Sequence, residues 1–148
     1  MSWPESPRAR PPPWGSLRPV RARQARRILR SDALFDLALA TVLLLSAWNG
    51  LYEALGIPPA RPAIFALLAG ALLLGFAYLL WVAPDYAVLG RRVAEAAAIA
   101  NGLGAAVIVL WLASGPTGVR PVGVALMLLL AGALAVFAGL EAKLSSAP

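Results

Sequence analysis

Four long apolar runs dominate the pattern of the chain, at residues 33–55, 63–83, 93–113 and 122–140. Each run is 19 to 23 residues long. A helix needs about 20 residues to cross a hydrocarbon core roughly 30 Å thick. The runs are continuous rather than alternating, and a backbone inside a membrane must satisfy its hydrogen bonds internally. The pattern therefore predicts four transmembrane helices.

Helix-breaking residues separate these runs. Gly56-Ile57-Pro58-Pro59 ends the first run, Pro84-Asp85 ends the second, and Gly115-Pro116-Thr117-Gly118 ends the third. A cleaved signal peptide is the alternative for the first run, but a signal h-region is only about 7–15 residues long. We therefore interpret the first run as a membrane span.

The predicted fold is all-α, an integral membrane four-helix bundle with a disordered basic N-terminal tail. The bundle domain covers residues 31–143, and residues 144–148 form a short C-terminal tail. Residues 1–30 form the N-terminal tail, in which Pro11-Pro12-Pro13 favours extended polyproline II over helix. Residues 21–30 contain no proline, so a helix can begin there and continue into the first span.

Composition supports a membrane protein and excludes several kinds of chemistry. The chain is 60% hydrophobic and only 14% charged, whereas ordinary soluble domains carry about 25% charged residues. It contains neither Cys nor His. Disulfides, thiolate nucleophiles, Cys/His zinc sites and His-ligated haem are therefore excluded. We predict no catalytic residue, no cofactor and no metal site.

The distribution of basic residues predicts the orientation. With the N-terminus in the cytoplasm, eight tail arginines, Arg91, Arg92 and Lys143 lie inside, and only Arg61 and Arg120 lie outside. Cytoplasmic loops of inner-membrane proteins carry an excess of Arg and Lys. We therefore predict a multi-pass protein of the bacterial inner membrane with both termini in the cytoplasm.

The basic tail is predicted to contact the membrane surface. Its arginines next to the first span face an anionic leaflet, where each contributes about 1 kcal/mol to the free energy of binding to the membrane surface. They are Arg21, Arg23, Arg26, Arg27 and Arg30. The predicted partners are the lipid bilayer and its anionic headgroups. A cytoplasmic protein is the next alternative, and nucleic acid is the least favoured.

A polar stripe on the first span is one candidate site. Ser46, Asn49 and Glu53 are spaced so that they share one helix face, and such a stripe faces protein or water rather than lipid. If the stripe is functional, we interpret Glu53 as a residue with a role in transport. The structural reading, which we favour, is a salt bridge to Arg61 or Arg120 at the outer surface.

The remaining acids suggest a second candidate, an inner-face polar cluster of Asp36, Arg92, Glu95 and Glu141. The structural alternative has each acid at an interface. Asp32 and Asp36 would then lie in the first turn of the first helix, with Ser31 or Asp32 as its cap. Glu95 would pair with Arg91 or Arg92 at helical spacing, and Glu141 would neighbour Lys143.

Small residues predict helix-packing seams. Ala94, Ala98, Asn101 and Ala105 form a stripe on the third span, where an Asn can hydrogen-bond across helices for about 0.6–2 kcal/mol. Further seams are Ala66-x-x-x-Gly70, Ala71-x-x-x-Gly75 and Ala135-x-x-x-Gly139. A substrate pocket around Asn49 and Asn101 is the alternative to packing.

Residues 29–141 resemble a group of small, uncharacterised four-span bacterial integral membrane proteins. The marks that carry the resemblance are Leu29-Arg30-Ser31-Asp32-Ala33, Leu55-Gly56, Gly70, Asn101 and Leu140-Glu141. The group has no established activity, so the resemblance implies a fold and no residue roles.

Three functions are compatible with this sequence. The first is a non-enzymatic structural or accessory subunit that assembles with itself or with other membrane proteins. The alternative is a small oligomeric transporter or channel that uses the polar stripe of the first span. A membrane enzyme or redox subunit is the least favoured, because without Cys and His it has few groups for chemistry.

Overall fold

The structure, a computed structural model, describes residues 19–45, 50–59 and 62–146. These ranges are helical apart from turns and contain no strand. The helices are α1 (Pro19–Leu45), α2 (Leu51–Ala54), α3 (Ile64–Val82), α4 (Ala87–Ala113) and α5 (Pro121–Ser145). A 3-10 turn at Ala83–Asp85 follows α3. The predicted all-helical fold class is confirmed.

Three of the helical segments are long and apolar enough to cross a membrane. They are Ile64–Asp85, Val88–Ala113 and Pro121–Ser145, with mean hydropathies of 2.3, 2.0 and 2.5. Large apolar side chains on them are exposed rather than packed inside the protein, for example Leu72 at 74% and Leu129 at 71%. Side chains of this kind need an apolar surrounding. By the length and composition of these three helices, the prediction of a membrane protein is confirmed.

The first helix begins earlier than the first apolar run. Helix α1 starts at Pro19, where a proline suits the first helical position because its missing N–H has no intrahelical partner there. It then passes through the arginine-rich segment to Leu45. Ser31 and Asp32 therefore lie in the middle of α1, and the interpretation of either as an N-cap is wrong. Residues 1–18 and 46–49 lie outside the described residues.

The long helices pack as two hairpins. Helix α1 lies along α3, and α4 lies along α5. Gly70 allows close approach in the first hairpin, because a Cβ there would lie 2.9 Å from Leu44 Cγ and 3.2 Å from the Ala40 carbonyl oxygen. In the second hairpin, Leu134 packs against Gly104.

At one end of the molecule the two hairpins share an apolar core. Leu29 and Ala33 of α1 pack with Leu80 of α3 and with Ala94 and Ala97 of α4. All five are nearly or completely buried. This common core positions α1 against α4 and so brings the polar residues of the two helices together. We refer to this end, which carries the arginine-rich start of α1, as the basic end.

At the opposite end the hairpins meet through backbone atoms. Gly56 has φ +71, a conformation that glycine adopts without strain. Its carbonyl oxygen accepts a hydrogen bond of 2.9 Å from the Arg120 backbone N–H. Gly123, in the first turn of α5, lies directly against this carbonyl, and a side chain there would collide with it. The two hairpins are thus joined at both ends.

Candidate functional site: a buried carboxyl cluster

Three carboxyl groups and one amide are buried where α1, α4 and α5 meet. Asp32 and Asp36 come from α1, Asn101 from α4 and Glu141 from α5. Asp32 and Glu141 are 0% exposed, Asp36 is 2% exposed and Asn101 is 4% exposed. Burying an ionised carboxylate costs several kcal/mol unless it is paired and hydrogen-bonded. We call these four residues the carboxyl cluster.

The Asn101 amide joins the three helices. Its Nδ2 donates to Asp32 Oδ2 at 3.1 Å and to Glu141 Oε2 at 3.0 Å. Both N–H groups of this amide are therefore used, one toward α1 and one toward α5. Interhelical hydrogen bonds of this kind hold membrane helices together, because lipid tails are as apolar as the helix surfaces themselves.

Two of the carboxyls also lie close enough to hydrogen-bond each other directly, namely Asp32 and Glu141. Three oxygens of the cluster accept no hydrogen bond from any donor in the structure: Asp32 Oδ1, Asp36 Oδ2 and Glu141 Oε1. Buried polar atoms are normally paired, so each unpaired oxygen requires an explanation. The cluster therefore has more acceptors than the donors that Asn101 supplies.

Apolar residues enclose the cluster on both sides. The core at the basic end lies on one side of it. On the other side, Phe35 packs against Ala105, Ala131 and Leu134. The Phe35 ring also contacts Phe137, with 5.5 Å between the ring centroids. This enclosure keeps the local dielectric low, which strengthens every electrostatic interaction inside the cluster.

The cationic side chains nearby are engaged elsewhere. Arg26 pairs with Asp85 at 3.0 Å, and Arg30 lies 3.8 Å from the same carboxylate. The Arg30 guanidinium also stacks over Trp81, 5.1 Å from the ring centroid. These contacts tie the start of α1 to the end of α3. They direct the two positive charges toward Asp85 rather than toward the carboxyl cluster.

The described residues form no group of three or more Asp, Glu, His or Cys that could hold a metal ion. The members of the cluster are three carboxyls and an amide, groups that form hydrogen bonds and, in the case of the carboxyls, bind and release protons.

The structure brings together only part of the predicted inner-face cluster. Asp36 and Glu141 lie in the carboxyl cluster, and Asn101 of the predicted packing stripe joins them. Arg92 and Glu95 instead form an exposed pair on one turn of α4, 3.3 Å apart. Asp36 and Glu141 are buried between helices, and their position at a membrane interface stays a prediction.

The polar stripe of the first span is not brought into a site by the described residues. Glu53 lies exposed on the short helix α2. Ser46, Asn49 and Arg61 lie outside the described residues. Among the ion pairs that the described residues form, none joins Glu53 to Arg120.

Asp32 is the site residue that the sequence reasoning missed. The structural alternative made it a cap in the first turn of the span, although the proline-free residues 21–30 also allow an earlier helix start. The signal that could have found it is its spacing. One face of the helix carries Leu29, Asp32, Asp36 and Ala40. All four are buried. Two carboxyls on the packed face of a helix indicate a polar partner on a neighbouring helix.

The arginines predicted to contact lipid lie in the first twelve residues of α1. They are Arg21, Arg23, Arg26, Arg27 and Arg30. Arg26 and Arg30 are bound to Asp85, as described above, and Arg27 is exposed. Contact with anionic headgroups stays a prediction for this segment.

These features define an all-helical protein that has three helices capable of crossing a membrane and a buried polar cluster between its helices. No family model, curated protein or solved structure matches the chain. The resemblance to small four-span bacterial membrane proteins stays a prediction.

Proposed function

We propose that the chain crosses the bacterial inner membrane four times, with both termini in the cytoplasm. The first crossing would consist of the apolar part of α1 and the residues that follow it up to residue 55. The excess of arginine at the basic end supports this orientation. The test is accessibility labelling of single cysteines in a chain that has none. Cysteines placed at Ser146 and Gly118 should be labelled from opposite sides of the membrane.

Within that membrane, we propose a non-enzymatic structural or accessory subunit that assembles laterally with a membrane-embedded partner or a second copy. The observation that supports it is the direction of the small-residue seams. Ala66 and Gly70 pack inside the first hairpin. Ala71 and Ala135 are exposed, and a Cβ built at Gly75 or Gly139 would meet no atom within 4 Å. Outward seams of this kind allow another helix to approach closely.

Native mass spectrometry of the gently extracted protein tests this assembly. We expect a complex larger than one chain, which dissociates when Gly75→Leu or Gly139→Leu fills a seam. Val136→Leu is the matched control, because Val136 is 62% exposed on α5 and outside the seam. A wild-type protein that is strictly monomeric in several mild detergents and in nanodiscs would contradict the proposal.

A small oligomeric transporter or channel is the second candidate function. The carboxyl cluster supports it, because ionisable groups buried inside membrane proteins commonly mark ion or proton pathways. Flux measured in proteoliposomes should then be lost in Asp32→Asn. It should be retained in Glu53→Gln, since Glu53 lies exposed and away from the cluster. Flux that depends on Glu53 instead would move the pathway to the polar stripe.

A further inference from the structure

We propose that the carboxyl cluster is a proton-binding site, in which at neutral pH Asp32 and Glu141 share a proton and Asp36 lies beside the pair as a further acceptor. The ligand is the proton itself. This inference does not depend on lateral assembly. It deepens the second candidate function by naming the ion that a transporter of this kind would bind.

The hydrogen-bond inventory supports a bound proton. Asp32 and Glu141 lie within hydrogen-bond reach of each other. Two ionised carboxylates have only acceptors, so a direct hydrogen bond between them requires one proton. Asn101 Nδ2 lies 3.1 Å from Asp32 Oδ2 and 3.0 Å from Glu141 Oε2, so the two carboxyls meet at one nitrogen, whose two N–H groups are both used.

Asp36 provides a second and separate observation. Asp36 is only 2% exposed, and no hydrogen-bond donor reaches its Oδ2. It lies one helical turn after Asp32 on the same face of α1. An unpaired oxygen at this place is an acceptor for a proton that leaves the Asp32–Glu141 pair.

The charged groups on the surrounding elements make contacts outside the cluster. On α1, the Arg30 guanidinium lies 3.8 Å from the Asp85 carboxylate and over Trp81, and its buried Nε has no hydrogen-bond partner among the described residues. On α4, Arg92 binds Glu95 at the surface, and on α5, Lys143 is exposed. The described residues offer no metal-binding group, as stated above. A sodium ion would have to use the same carboxyl oxygens as the proton, so replacing sodium with choline distinguishes the two cations.

Infrared spectroscopy of the full chain detects this proton directly. A protonated carboxyl has a C=O stretch that a carboxylate lacks, and a detergent without carbonyl groups leaves that region clear. We expect the band at neutral pH, its loss on alkalinisation, and no response to replacing sodium chloride with choline chloride. A band that sodium removes, or the absence of a band at neutral pH, would overturn the proposal.

Amide substitutions assign the band to the cluster. Asp32→Asn and Glu141→Gln each supply the donor that the neutral acid would provide, so both variants should fold and should lose most of the band. Glu53→Gln and Glu95→Gln remove exposed acids and should leave it unchanged. A band that persists unchanged in both cluster variants would contradict the assignment.

A stability measurement gives an independent readout. If the folded protein holds a proton that the unfolded chain releases, the folded state binds more protons, and stability must fall as pH rises. In the double variant Asp32→Asn/Glu141→Gln, the free energy of unfolding should depend on pH markedly less than in the wild type. A wild-type protein whose stability stays constant from neutral to alkaline pH would refute the site even if every variant folds.

Discussion

Replacing Asn101 with leucine tests whether its amide holds the three helices together. Leucine is apolar and similar in size, so the substitution removes two hydrogen bonds without creating a large cavity. Asp32 Oδ2 and Glu141 Oε2 then lose the donor that lies 3.1 Å and 3.0 Å away. Both oxygens stay buried, because the apolar residues around them do not change.

The expected loss follows from these two contacts. Hydrogen bonds between membrane helices contribute on average about 0.6 kcal/mol each and reach about 1.7 kcal/mol. Two such bonds give a loss of roughly 1–3 kcal/mol. A buried acceptor left without a partner costs a further ~1–3 kcal/mol, reduced here if the carboxyls rearrange around a shared proton. We therefore expect the free energy of unfolding to fall by about 2–4 kcal/mol.

Steric trapping or titration with a denaturing detergent measures this free energy. Ala100→Leu is the matched control, because Ala100 precedes Asn101 on the same helix and is exposed. A double-mutant cycle with Glu141→Gln should give a coupling energy clearly different from zero, since the two residues are in contact. If Asn101→Leu lowers the free energy of unfolding no more than Ala100→Leu does, the Asn101 amide does not hold the three helices together.

Other substitutions test the packing. Gly70→Val should lower the free energy of unfolding by about 1–3 kcal/mol, because the added side chain overfills the first hairpin. Gly75→Val, on the opposite side of α3, should leave the free energy of unfolding of a single chain nearly unchanged, and thermal melts of both variants measure the difference. Gly123→Ala should separate α5 from the Gly56 carbonyl, detectable as faster hydrogen exchange at the Arg120 amide. Asp85→Asn should cost at most about 1 kcal/mol, because its ion pairs are half exposed, and less in high salt.

Much of the helical organisation could be predicted from hydropathy alone. The last three apolar runs, at residues 63–83, 93–113 and 122–140, correspond to α3, α4 and α5 with shifts of zero to six residues at their ends. Helix α1 begins at Pro19, close to the proline-free residues 21–30 in which a helix start was expected, but well before the predicted caps Ser31 and Asp32. A hydropathy pattern locates the apolar part of a helix, but it does not locate the end of a helix that continues into water.

The carboxyl cluster was less predictable because it depends on the relative depth of three helices. Glu141 lies four residues before the end of α5, whereas Asn101 lies near the middle of α4. They meet because α4 extends beyond α5 at the basic end. Sequence spacing defines which residues share a helix face, but not how far one helix is displaced along another. The contact between these two residues therefore had no signal within either helix.

The division into two hairpins has a consequence for biogenesis. Helices α1 and α3 leave the ribosome first, and at that stage Asp32 and Asp36 have no amide partner, since Asn101 is still to be synthesised. Polar groups of this kind are costly against lipid. The first half of the polypeptide is therefore incomplete on its own, and a chain that stops at Asp85 would leave Asp32 without the partners that α4 and α5 provide.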